Sequence, residues 1–227
     1  MSTHTDTAPP ETKAMTEALA DAALELAAGR LWEEVGLAAL CQTAGLAIAD
    51  VALAGISRER VREALEQRLD RAMLAVVPEA GARPRDRLFD VVMGRFDAME
   101  AHREAWTSIL IGEGRDGSTL PMRTVRLART AGWALDAAGI VTGGAEAAVR
   151  KAGLTRILLA AQEAWLADGP DLARTMRALD QGLQQSRDAV AQLRGLWTFL
   201  SGQGSLAASR KSAAGAGTGD AAENSGG

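Results

Sequence analysis

The sequence predicts an all-α protein, and three observations carry that prediction. Alanine and leucine dominate while β-branched residues are few, which favours helix on intrinsic propensity. Large apolar residues recur at three- and four-residue spacing along most of the chain. Segments rich in glycine or proline separate several of these stretches, and no alternating run of strand type occurs. With 227 residues, 47% of them hydrophobic, the chain suffices for one domain or one and a half.

Residues 1–13 are polar, carry Pro9 and Pro10, and are expected to be disordered. Met15, Leu19, Ala22 and Leu26 define a first helix. A second runs from Leu37 to Ala44, and a third from Ala47 to Ala54, where Gly55 ends it. Ser57 is placed to cap a long fourth helix with Val61, Leu65, Leu69 and Met73 inward. This is the cadence of a helix-turn-helix, so residues 14–56 form a candidate head. Its third helix reads Ile-Ala-Asp-Val-Ala-Leu-Ala, without Arg, Lys, Asn, Gln or Tyr. Base edges and phosphates are held by such side chains, so the frame is present without its reading residues.

Residues 57–200 form a candidate helical body. Pro78 and Pro84 bound a loop, and a fifth helix from about Arg85 to Ala101 carries Leu88, Val92, Phe96 and Met99. A shorter helix, His102 to Gly112, is followed by the turn-rich GEGRDGSTLP. That string imitates a phosphate-binding loop, but no strand precedes it. Further helices are expected over Met122 to Ala138 and over residues 145–167. Asp168-Gly169-Pro170-Asp171 stops the latter and starts a last helix towards Leu200, with Pro170 suited to a first turn. Residues 201–227 are rich in Gly, Ala and Ser and read as a disordered tail.

Net charge is −4, which argues weakly against nucleic-acid binding. The single cysteine, Cys41, excludes an internal disulfide, fits a reducing cytosol and reads as a buried structural thiol. No run of about 18 apolar residues is present to span a membrane. The N-terminus lacks the apolar region of a secretory signal, so a cytoplasmic location is expected. The only histidines are His4, in the polar terminus, and His102, at a helix boundary. No nucleophile–base pair and no metal-ligand spacing stands out, so neither enzyme activity nor a cofactor is expected.

The head and long fourth helix resemble the TetR family of repressors. The family motif opens Ala-Gly-Val-Ser and closes Ser-Lys-Glu plus a leucine; here Ala44-Gly45-Leu46 and Ser57-Arg58-Glu59 with Val61 occupy those places. Ala52, Ala54 and Gly55 stand where the family has tyrosine, histidine and phenylalanine. The stretch Leu158 to Leu183 is similar to ubiquinone-biosynthesis accessory proteins of the same fold. Asp168, Gly169, Pro170, Asp171, Leu172, Thr175 and Leu179 follow their acidic-small-Pro-Asp pattern, with Gly169 replacing a serine. That resemblance implies a non-catalytic homodimer that binds a lipid or isoprenoid quinone intermediate. It also implies docking of a final amphipathic helix on membrane and delivery to a ubiquinone-pathway hydroxylase.

Three residue sets follow. Leu154, Ile157, Leu158, Ala161 and Trp165 form one face of the penultimate helix, opposite Val125, Ala128 and Trp133. They line either an apolar ligand pocket or a packed core. Leu193, Leu196, Trp197, Phe199 and Leu200, with flanking arginines, suit an interfacial helix on the inner membrane face or a packing stripe. Arg58, Arg60 and Arg62 could touch DNA phosphates if the chain is instead a ligand-responsive transcriptional regulator. Glu59, Glu63 and Glu66 offset them, so a solvated face is the competing expectation.

Overall fold

The computed structural model describes residues 9–115, 119–140 and 143–186, and among them only helices, turns and loops occur. Eight α-helices have both ends described: α1 Pro10–Gly29, α2 Leu37–Ala44, α3 Ile48–Leu53, α4 Arg58–Leu74, α5 Pro84–Glu100, α6 Arg103–Arg115, α7 Leu120–Ala137 and α8 Gly144–Leu166. A ninth helix, α9, opens at residue 173. The chain divides into two units, Met1–Leu183 and Gln184–Gly227. Of the second only residues 184–186 are described, and they are helical. The expected tail and the stripe Leu193 to Leu200 lie outside the described residues.

Several helix ends depart from the sequence expectation: α7 begins at Leu120, inside the stretch expected to be a loop, and α9 opens at residue 173, so Pro170 lies in the preceding turn rather than in a first helical turn. α1 begins at Pro10 rather than after residue 13. Proline suits the first helical turn, and Glu11 meets the positive end of the helix dipole there. α6 runs on through Gly112 and Gly114 to Arg115, into the stretch expected to be a loop. Glu113 explains this: it is buried and ion-paired with Arg62 of α4 at 2.9 Å, so tertiary contact overrides two weak helix formers.

The head packs α1, α2 and α3 around Leu19, Ala23, Leu40, Val51, Ile56 and Val61, all buried. α2 ends on Gly45 in the left-handed region at φ +66, whose N–H reaches back to the Cys41 and Gln42 carbonyls. Glycine adopts that conformation without a Cβ penalty, and the turn it makes sends the chain into α3. Ser57 Oγ accepts from the Arg60 N–H at 3.2 Å and starts α4, as its sequence position predicts.

α4 is the connector. It packs on α1 in the head and on α5 and α7 in the body. α6 lies along α1, so head and body share one hydrophobic core. α7 packs on α8, and α9 returns over α8 through Gly182, where a Cβ would lie 2.8 Å from Ile157 Cγ1. Cys41 is buried at the α2 end of the core.

Candidate functional site

The face of α3 that points outward is apolar and acidic. Val51 is fully buried, while Ile48 is 53% and Leu53 88% exposed, with Asp50 and three alanines beside them. Between Pro10 and Arg60, four basic side chains stand against eight acidic ones. A surface of this composition offers a base edge no bidentate donor and a phosphate little attraction.

The three arginines do not form a patch. Arg58 turns inward: its Nε donates to the Val35 carbonyl at 2.8 Å, its Nη2 to the Trp32 carbonyl at 2.6 Å, and it stacks 4.3 Å over the Trp32 ring. Arg62 is buried and held by Glu66 at 2.7 Å and Glu113 at 2.9 Å. Only Arg60 is exposed. Placing Arg58 and Arg62 on a phosphate-facing surface is therefore corrected, and so is reading Glu66 as solvated. Carboxylates and carbonyls from α6 and the α1–α2 connection reach them first.

Between α4, α5, α6 and α7 lies a buried polar network. Glu66 bridges Arg62 and Arg95. Arg95 also binds Asp70 at 2.7 Å, and Asp70 accepts from Thr130 Oγ1 at 2.8 Å. Glu113 holds both Arg62 and Arg126. Burial pushes the Glu66 carboxyl up, but Arg95 and Arg62 beside it outweigh that and bring it down to about 2. For Asp70 burial wins, and its carboxyl lies above the usual range despite Arg95 and Thr130. Removing one partner of such a network costs about 3–5 kcal/mol, because the other charge stays buried. A sequence signal for it existed. Arg62, Glu66 and Asp70 follow Val61, Leu65 and Leu69 by one position, at the same four-residue spacing.

On α8 the expected face is buried: Leu154, Ile157, Leu158, Ala161 and Trp165 are at most 8% exposed. On α7 the expectation is corrected. Val125 is 64% and Trp133 49% exposed, and Ala128 is half-buried. The inward face of α7 is instead Arg123, Leu127, Thr130, Ala131, Ala134 and Leu135. Polar side chains take interior positions there because buried partners on α4 and α8 receive them. A separate open groove of about 540 Å³ runs between α1 and α6, lined by Ala27, Leu31, Arg103, Thr107, Ser108 and Ile111.

The Asp168 to Leu179 pattern is a helix start. Asp168 Oδ2 accepts from the Thr175 N–H at 2.7 Å and from Thr175 Oγ1 at 2.9 Å. Partial burial raises its carboxyl, but these donors, with the Arg174 and Gly169 N–H groups, together outweigh it and hold it below the usual range. Leu172 adopts φ 52 within the turn and buries its side chain. Arg103 fastens the turn to α6: it lies 4.6 Å over the Trp165 ring and donates to the Gly169 carbonyl at 3.4 Å.

No family model and no curated protein matches the chain. Solved structures do. The crystal structure of the TetR transcriptional regulator from Nitrosomonas europaea ATCC 19718 is similar at 21% identity and a TM-score of 0.61, covering 76% of this chain and 98% of that one. A TetR transcriptional regulator from Rhodococcus sp. RHA1 is similar at 21% identity and a TM-score of 0.57, covering 76% and 97%. The chain has the TetR fold, with the helix-turn-helix head and helical body that the sequence predicts. Among the described residues no helix is long and apolar enough to cross a membrane.

Proposed function

We propose that this chain is a non-catalytic, ligand-responsive transcriptional regulator of the TetR type, with an atypical head and a homodimer as its working unit. The observation that supports it is the tie between head and body. Ser108 of α6 accepts from the Trp32 N–H at 2.8 Å and donates to the Arg30 carbonyl at 2.9 Å, while α4 carries the buried network straight out of the head. A ligand that moves α4 or α6 must move the head with it. The names of the structural neighbours make DNA the first partner to test.

Fluorescence anisotropy of the full-length protein on DNA flanking its own gene, over a salt series, tests this. Binding whose logarithm falls with the logarithm of salt, weakened by Arg60→Ala, supports it. No binding at low salt rejects the transcriptional role. For the homodimer, the exposed apolar stripe of Met122, Val125 and Trp133 is the candidate face. Light scattering should give a dimer mass for the wild type and a smaller mass for Trp133→Asp.

A second reading is favoured by the exposed surface of α3, which lacks every donor that DNA requires. On it the chain is an accessory protein of ubiquinone biosynthesis, peripheral on the membrane, that carries a lipid or isoprenoid quinone intermediate to a pathway hydroxylase. Native mass spectrometry of freshly purified protein, followed by organic extraction, separates the two. A bound isoprenoid without DNA affinity selects the accessory role, and an empty protein that ignores vesicles removes it.

A further inference from the structure

The interior of the body holds more positive than negative charge. Arg62, Arg95, Arg123 and Arg126 face three carboxylates, Glu66, Asp70 and Glu113. The first two arginines and Arg126 share those carboxylates. Arg123 does not. It is 8% exposed on α7, and its guanidinium meets a neutral partner, the Gln162 side-chain oxygen of α8, at 2.9 Å from Nη2 and 3.3 Å from Nε. Elsewhere in the same body, Arg62 Nη1, Arg95 Nε and Arg126 Nε are buried with no acceptor. Arg126, three residues on along α7 and half-buried, is taken up by Glu113 rather than by Gln162. A buried cation without a counter-ion is expensive, and buried donors without acceptors add to that cost.

We propose that the α7–α8 contact at Arg123 and Gln162 is an anion site that takes a carboxylate. The guanidinium fork supplies a bidentate grip, and the Gln162 amide N–H₂ beside it supplies a further donor. Leu158 and Trp165 lie four residues before and three after Gln162 on α8, and both are fully buried. An apolar tail attached to the carboxylate would therefore meet apolar side chains. This deepens the reading of the body as a ligand receiver and rests on it. The same site chemistry would accept a free small anion, and the test separates the two sources.

The full-length protein is titrated with sodium decanoate, sodium acetate and decanol at fixed ionic strength, and followed by calorimetry and thermal melting. Decanoate should bind saturably and raise Tm, while decanol should not. Acetate acting as strongly as decanoate identifies a free anion as occupant; decanoate alone identifies the headgroup of an apolar ligand. Arg123→Gln should weaken decanoate binding by about tenfold or more, the loss of one charge-assisted contact. Its anion-free Tm should not fall, because the unpaired charge is gone. Arg123→Lys, which keeps the charge without the fork, should bind with intermediate affinity. If Arg123→Gln does not fold, a wild-type co-crystal with decanoate decides: the carboxylate beside Arg123 supports the site, and a carboxylate elsewhere overturns it. Absence of any anion effect on the wild type, or an undiminished response in Arg123→Gln, also overturns it. Failure of the DNA salt series leaves this result standing, and failure here leaves the DNA result standing.

Discussion

Arg58 shows how little a residue's type fixes its role. On sequence it begins a helix beside two other arginines and reads as part of a solvated face, or as a phosphate contact if the chain is a DNA-binding regulator. In the fold its fork closes the connection between α1 and α2 through two carbonyls and one indole. Arg58→Ala should cost about 1–3 kcal/mol, because it leaves the Val35 carbonyl without its donor and removes the stacking on Trp32. Arg60→Ala, at an exposed position, should change stability by no more than about 0.5 kcal/mol. Urea unfolding of the two variants checks the contrast, and equal losses would contradict the inward assignment. Asp168 belongs to the same scale. Asp168→Ala removes the acceptor for Thr175 and should cost about 1 kcal/mol, or roughly 2–4 °C in Tm. Asn at that position should retain most of it.

Helices meet where side chains are small enough to let them. α9 approaches α8 at Gly182, where even a methyl group would lie 2.8 Å from Ile157. Gly182→Ala should therefore destabilise by about 1–3 kcal/mol despite its higher helix propensity, since the contact must open. Recovery in the double variant Gly182→Ala with Ile157→Val would locate the effect at this contact. No recovery would place it elsewhere. α3 illustrates the opposite arrangement: one buried valine anchors six residues, and the rest of the helix faces outward. Its placement was legible from Gly45, Gly55 and Ser57, and so was its lack of basic side chains.

Across the molecule, the buried network makes stability depend on acid. Glu66 is held at about 2 against 4.5 in an unfolded chain, so its contribution is complete above pH 4.5 and is lost as pH falls towards 2. Asp70 has the opposite sign. Its folded value is raised, so its charged form opposes folding and the opposition fades as pH falls through that value. The stability gap between wild type and Glu66→Gln should be widest above pH 4.5 and close towards pH 2. Denaturant unfolding at pH 7, 4 and 2.5 reads it out, and a gap constant across that range would show that Glu66 is not the group that titrates. The same network ties α4, which leaves the head, to α5, α6 and α7.

Among the described residues, helix order and most approximate ends followed from the sequence because they rest on local physics. The 3.6-residue period repeats within each stretch, Gly45 and Ser57 punctuate it at once, and the empty surface of α3 is a matter of composition. The face of α8 followed too, since five apolar residues share it. What α7 buries did not. Val125 and Trp133 are the more apolar residues, yet they face outward while Arg123 and Thr130 turn in. The reason lies in distant partners: Asp70 stands 60 residues before Thr130, and Gln162 stands 39 after Arg123. Arg58 turned inward for carbonyls 23 and 26 residues away. Whether a charged side chain is solvent-facing or interior depends on whether a matching group arrives from another helix, and only the tertiary fold brings those groups together.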